Sequence, residues 1–307
     1  MSAGRWLGGV LLLALAGCQL QAGSDMPDGR QYQRDVEQWR AQRMTRLRAA
    51  DGWLSYIGSG RLKPGIYSVG SAASNAVVLP TGPAQLGMLT ISSDGSAKID
   101  GHPGSGATLN GQPLRHAQLR PGGGDNHEVS RIRFGSAEFY LVRSGNVLSW
   151  RCRDAGSPRR SSFRGIDHFP VEPAWRVVAH WQPFAKPLQT ILLTSIGTPQ
   201  PALVPGEAVF EVDGRSYRLQ PALDAEAPPS KRLFFLFTDR TSGRETYGGA
   251  RYLYAAESRD GTVVLDFNRA ENPPCALTPH VICPIAPAVN RLDLAVTAGE
   301  KFQAMQQ

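Results

Sequence analysis

The sequence predicts a mainly β protein: a β-sandwich followed by a second antiparallel β domain, itself a sandwich or a partly closed barrel, behind one N-terminal helix. Three observations predict it. Glycine (33) and proline (23) are abundant among 307 residues, which favours many turns and short strands over long helices. From Gly65 to Val142, short apolar runs (IYSVG, NAVVLP, MLTIS, SAKID, IRFG, FYLV) alternate with glycine-rich turns. One stretch, Gln31–Ala50, instead carries apolar residues at helical spacing. A chain of this length buries a substantial core and is expected to divide into more than one domain.

Residues 1–17 read as an export signal. Arg5 supplies the positive charge and Leu7–Ala16 the apolar core, while Leu15-Ala16-Gly17-Cys18 resembles the processing site of bacterial lipoproteins. The apolar run is shorter than the ~20 residues a spanning helix needs. The mature chain is therefore expected to begin at a lipidated Cys18, with 18–30 as a polar tether to the membrane. Gln19 does not match the usual inner-membrane retention signal, so the expected location is the outer membrane, facing the periplasm. Losing Arg5 takes the formal charge from +7 to +6. In that compartment a modest positive charge favours a small anionic ligand or another envelope component, and nucleic acid is not an expected partner.

Residues 31–51 are assigned to the helix, with Asp28 or Asp35 near its start and Asp51-Gly52 ending it. Val36, Trp39, Met44 and Leu47 give it an apolar stripe. Arg34, Arg40, Arg43, Arg46 and Arg48 cover the rest and are expected to be solvated. Residues 52–150 are assigned to the sandwich. Gly65–Pro80, Thr108–Leu114 and Ile132–Val142 resemble a forkhead-associated β-sandwich. Such domains bind phosphothreonine through a Gly-Arg pair and a Ser-x-x-His segment. Here Ser71 follows Gly70, and Gly82–Leu89 holds no such segment, so the resemblance implies architecture and not that activity.

A basic link, 151–164 (RCRDAGSPRRSSFR), marks the boundary. Its charges are either solvated or, through Arg159, Arg160 and Arg164, line an anion site with the second domain, 165–307. Trp175–Trp181, Thr190–Ile196, Ala208–Val212 and Ser216–Leu219 are the first strands expected there.

Leu233–Thr238, Tyr247–Glu257 and Thr262–Asn268 read as a three-stranded antiparallel meander, with Asp260-Gly261 closing the second turn. Alternation places Val263, Leu265 and Phe267 on one face, and groups Tyr247, Gly249, Arg251 and Leu253. Gly248-Gly249 marks a bulge or a close approach of another backbone or a ligand. Arg251 and Asp266 stand in apolar strands, either as a cross-strand ion pair or as part of a ligand site. That candidate site comprises Tyr247, Arg251, Asp266, Asn268 and Asn272. The proline-rich segment after Asn268 is expected to lie as an ordered loop over the end of the meander, and Leu292–Val296 to return as a strand. Within the loop, Cys275 and Cys283 are expected to form a disulfide, worth roughly 2–3 kcal/mol in the chain-entropy model. A Cys–His–Cys metal site through His280 is the rival, but it lacks a Cys-x-x-Cys pair and a fourth ligand. No metal or cofactor is expected, and Cys152 is left as a buried free thiol.

TYGGARYL (Thr246–Leu253), LDFNRAENPPCA (Leu265–Ala276), CPIAP with NRL (Cys283–Leu292) and Ala298-Gly299-Glu300 resemble the uncharacterised bacterial family termed domain of unknown function 1684. GWLSYIG (Gly52–Gly58) and FRGIDHFPVEPAWRV (Phe163–Val177) match its other motifs. That resemblance implies no activity. No Gly-x-Ser-x-Gly elbow, His-Glu-x-x-His, phosphate loop or dinucleotide fingerprint is present. Two functional readings follow: a lipid-anchored binding or scaffolding protein, or a hydrolase-like enzyme working through Asp239 or Asp266.

Overall fold

The computed structural model describes residues 28–123, 128–224, 232–257 and 260–302; the signal, Cys18 and most of the tether lie outside them. Helix α1 (Gly29–Arg48) is capped by Asp28, whose carboxylate accepts the Arg30 N–H, and Arg46 and Arg48 sit favourably in its last turn. Its buried residues, Tyr32, Val36, Arg43 and Leu47, recur at spacings of four and seven, which is one face of a helix. Arg43 corrects the expectation of a solvated basic face, because it is only 6% exposed.

Eleven strands follow among the described residues of the first half: β1 (Tyr56–Leu62), β2 (Gly65–Gly70), β3 (Val77–Val78), β4 (Gly87–Ile91), β5 (Ala97–Gly101), β6 (Thr108–Leu109), β7 (Gln112–Pro113), β8 (His116–Leu119), β9 (Ile132–Phe134), β10 (Ala137–Ser144) and β11 (Val147–Asp154). They form two sheets, ordered β1-β11-β10-β9-β6-β7 and β3-β2-β4-β5-β8. Period-two burial explains the core between them. In β4 Leu89 and Ile91 turn inward while Met88 stays exposed, and in β5 Ala97 and Ile99 do the same. These side chains meet Ile132, Phe139, Leu141 and Cys152 from the other sheet. The sandwich expected from the sequence is thus formed, with Cys152 buried in it.

The second half contains β12 (Arg176–Leu193), β13 (Pro199–Val212), β14 (Arg215–Leu219), β15 (Leu223–Asp224), β16 (Arg232–Phe237), β17 (Arg251–Ala256) and β18 (Thr262–Asp266). Two strands expected near 175–181 and 190–196 are one long strand, β12. Its ladder with β13 shifts register between Pro183 and Leu188, where Pro183 and Pro187 lack the N–H a ladder needs. That gap in bonding is what the sequence displayed as a break.

The meander is corrected. β16 and β17 pair with each other, but β18 pairs with β12 in the sheet ordered β14-β13-β12-β18. Asp260 and Gly261 do turn as expected, both at positive φ (52° and 72°), yet the strands they join belong to different sheets. The free edge of β17 is taken by the backbone of Glu271, which exchanges hydrogen bonds with Tyr252. Tyr247–Ala250 lies outside the strand, and Leu292–Val296 follows β16 as irregular chain, with Leu292 N–H donating to Thr238 and Arg240 N–H to Leu294. The face predicted for Val263, Leu265 and Phe267 holds, and with Leu253 they join Phe235, Phe237 and Phe210 in a second core between the sheet and the β16–β17 hairpin; Tyr247 and Gly249, grouped with Leu253 from the sequence, lie outside the strand.

A third cluster joins the halves. Tyr56 and Tyr140, from the first sheet of the sandwich, pack with Leu192, Leu236, Tyr252 and Cys283, and the Tyr140 hydroxyl bonds that of Tyr56 at 2.9 Å. Of the basic link, Arg151–Asp154 completes β11 and Pro158–Ser162 forms a short helix, α2. A second short helix, α3 (Pro274–Leu277), carries Cys275 in the proline-rich loop.

Candidate functional site

Arg251 opens β17 with its side chain fully buried, so its charge has to be met inside the protein. Its Nη2 donates to Asp239 Oδ2 at 2.7 Å and to the Val296 carbonyl at 2.9 Å; Nη1 donates to the Ala298 carbonyl, and the guanidinium carbon lies 5.0 Å from the Phe237 ring centre. Burial lowers its pKa against the pull of Asp239. The ion pair expected with Asp266 is therefore made with Asp239 instead, because β18 departs to the other sheet. Asp239 is equally committed: Oδ2 also accepts the Val296 N–H, and Oδ1 accepts the Thr241 N–H and the Thr241 and Ser242 hydroxyls. A carboxylate holding five donors has no lone pair facing a substrate.

Asp266 and Asn268 hold the helix. Tyr32 donates to Asp266 Oδ1 at 2.6 Å, and Arg269 Nε lies 3.0 Å from Oδ2. Asn268 is buried; its Nδ2 donates to the Tyr32 oxygen and the Glu172 carbonyl while Oδ1 accepts the Glu172 N–H. Burial, then the bond to Asp266, pushes the Tyr32 phenol pKa up. Further along α1, Arg43 Nε sits 3.1 Å from Glu300 and 3.3 Å from Glu271, and Nη2 donates to the Asn272 carbonyl at 2.9 Å. Glu300 in turn accepts the Asn272 N–H at 2.6 Å.

These contacts separate the predicted residues. Arg251, Asp266 and Asn268 are structural, and of the five only Asn272 lines a cleft of about 830 Å³. Phe163, Leu277 and Phe302 form its apolar side; Arg159, Arg164, Lys301, Asp167 and Asn272 form the polar side. Asn272 is 2% exposed, its Nδ2 donates to the Lys301 carbonyl, and its Oδ1 is buried with no partner. Arg164 is exposed, whereas Arg159 is anchored by bonds to the Tyr56 and Leu277 carbonyls, and burial lowers its pKa. The Lys301 ammonium lies 4.5 Å from the Phe169 ring centre. Of the link's arginines, then, Arg159 and Arg164 line a cleft with Asn272, Leu277 and Lys301, while Arg160 bonds the Arg48 carbonyl and does not line it.

Tyr247 stands behind this cleft. Its ring packs edge-on against Phe302 at 5.1 Å and its hydroxyl reaches Cys275 Sγ at 3.6 Å. Gly249 is held under the Tyr247 ring, where an added Cβ would come to 2.9 Å, and Gly248 lines a smaller cleft beside Asp239 and Arg240. The disulfide expected between Cys275 and Cys283 is not formed in the structure: the two are neighbouring free thiols, with the Cys275 N–H 3.1 Å from the Cys283 sulfur. His280 pairs with the Ser59 hydroxyl at 3.2 Å, and no cluster of three His, Cys, Asp or Glu able to hold a metal occurs among the described residues. Sequence reasoning missed Phe163, Lys301 and Phe302. The signal available was the continuation of the Ala298-Gly299-Glu300 motif into a cation and an aromatic ring.

Residues 161–301 match the family model described as "Protein of unknown function (DUF1684)". An uncharacterised protein of Haloarcula marismortui, solved by solution NMR, is 34% identical over 47% of this chain and 79% of its own, with a TM-score of 0.39. A crystal structure of Rad53 residues 1-466 with AMP-PNP aligns at 11% identity and a TM-score of 0.17, over 68% of this chain and 48% of its own, too distant to bear on fold or function. No curated protein matches. With the quoted motifs and the 34% identical relative in agreement, the chain belongs to the DUF1684 family of proteins of unknown function.

Proposed function

We propose that this protein is a cell-envelope lipoprotein that binds a small anionic ligand in the cleft between the 159–167 segment, α3 and residues 301–302. One observation carries the reading. The cleft presents three cations (Arg159, Arg164, Lys301) against one carboxylate (Asp167), beside an Asn272 oxygen buried without a donor. A buried acceptor left unpaired costs on the order of 1–3 kcal/mol, and a ligand hydroxyl or amine would recover it once the Asn272 side chain turns its oxygen into the cleft it lines. The ligand this chemistry selects is a small phosphate or carboxylate that also carries a hydrogen-bond donor. The catalytic alternative has no such support, since Asp239 and Asp266 spend their oxygens on internal partners.

Calorimetric titration with glycerol 3-phosphate, and with inorganic phosphate as the simpler anion, tests the site. Saturable binding is expected, tighter for the hydroxylated ligand. Replacing exposed Arg164 with Ala should weaken it about tenfold or more, the loss of one charge-assisted hydrogen bond. No saturable heat with either anion, or equal affinity in the Arg164→Ala chain, would sink the reading. The envelope location rests on the Leu15–Cys18 motif. Incorporation of labelled fatty acid that disappears in Cys18→Ser, with release of the chain from membranes, is the expected result. The division of the chain at the 151–164 link into a sandwich domain and a second β domain is likewise our proposal.

A further inference from the structure

Three features of Cys275, Cys283 and Tyr247, none of which lines the cleft, are left unused by the ligand reading. Cys275 is partly exposed while Cys283 is 3% exposed, so solvent reaches the first residue more readily than the second. The two residues touch, through the Cys275 N–H and the Cys283 sulfur at 3.1 Å. Each sulfur has donors, the Tyr247 hydroxyl at 3.6 Å from Cys275 Sγ and the Cys275 N–H and Tyr252 hydroxyl at Cys283, so access to solvent and burial separate their roles. Cys283 is buried with Leu192, Leu236, Ala250, Tyr252 and Val281, and that burial disfavours a thiolate.

We propose that Cys275 and Cys283 are a thiol–disulfide exchange site, with Cys275 the attacking sulfur and Cys283 the resolving one. The Cys275 thiolate attacks one sulfur of a small or protein disulfide, RSSR, forming Cys275–S–SR and releasing RS⁻. Cys283 then gives its proton to solvent and attacks the Cys275 sulfur, expelling the second RS⁻. The two protons lost by the protein are recovered as two RSH, so RSSR is reduced and the cysteine pair is oxidised. Electrostatics agree with the assignment of roles. Hydrogen bonding from Cys283, and then from Tyr247 and the backbone, lowers the Cys275 pKa to about 7, while the bond to Cys275 and burial raise that of Cys283. Cys152 cannot compete, because burial in the sandwich core pushes its thiol up to about 12.

The test is made on the full chain in detergent, reduced and freed of reductant. Iodoacetamide at pH 7, followed by peptide mass mapping, should label Cys275 about tenfold faster than an unperturbed thiol and leave Cys283 and Cys152 unlabelled. Glutathione disulfide should then yield a chain two hydrogens lighter with Cys275 linked to Cys283. In Cys283→Ala the same treatment should trap a glutathione adduct on Cys275, and Cys275→Ser should react with neither reagent. Three results would overturn the proposal: Cys283 labelling as fast as Cys275, a persistent glutathione adduct on the wild-type chain, or no reaction at Cys275. The wild-type labelling pattern decides even where a variant fails to fold.

Discussion

Arg43 and Arg251 are both taken out of water, and each has become the hub of a separate buried network. Breaking a buried pair by removing one partner strands the other charge, which costs about 3–5 kcal/mol. Chemical denaturation should therefore show losses of that order for Arg43→Ala, which orphans Glu300, and for Arg251→Ala, which orphans Asp239. Neither change should alter anion binding in whatever fraction stays folded, and a selective loss of binding in Arg251→Lys would restore it to the ligand site. Tyr32→Phe removes one hydroxyl that serves Asp266 and Asn268 together, for a smaller expected loss of about 1.5–3 kcal/mol, as for a hydrogen bond to a charged group. That Arg251 needs a partner is legible from a charge set among apolar strand residues. Which partner is not legible, since Asp239 and Asp266 are equally available until strand pairing is known.

Among the elements, the segment carrying Gly299 is tightly constrained. Gly299 has φ of 79°, and a Cβ there would come 2.6 Å from the Ala270 carbonyl oxygen and 2.8 Å from that of Phe267. Gly299→Ala should destabilise by roughly 1–3 kcal/mol, from left-handed strain plus displacement of the neighbouring Glu300. Thermal unfolding of that variant at or above the wild-type midpoint would contradict the close approach. The segment 163–172, which lies against α1, supplies a pH response. Burial first, with Arg40 beside it, lowers the His168 pKa from 6.5 to about 4. The unfolded chain binds this proton at a higher pH than the folded one, so the contribution to stability is complete above pH 6.5 and is lost as pH falls towards 4. Denaturation midpoints measured across that window should fall less steeply in His168→Gln. Strand positions were largely readable at this scale because period-two burial is local. The meander was not: turn chemistry at Asp260-Gly261 sets the reversal of the chain but not which sheet receives the next strand.

Taken whole, the molecule is fastened at two levels. α1 is clamped to the second half through Tyr32, Arg40 and Arg43, and Tyr56 and Tyr140 carry the sandwich onto the same half. A fragment beginning at residue 165 lacks both clamps and leaves Glu271, Glu300 and Asn268 facing water or one another. It should unfold with a clearly lower midpoint and broader transition than the chain from residue 28, and equal cooperativity would show the clamps to be dispensable. The sequence by itself determined the mainly β class, the sandwich, the capped helix, the buried face of β18, and the motifs of the family. All of these depend on spacing along the chain or on local turn chemistry. Tertiary structure alone decided that Arg251 meets Asp239, that β18 joins β12, that Arg43 is buried, and that Arg159, Arg164, Asn272 and Lys301 share one cleft. Those pairings join residues far apart in sequence, and their register is set by how the cores pack, a free energy summed over the whole fold that no single segment carries.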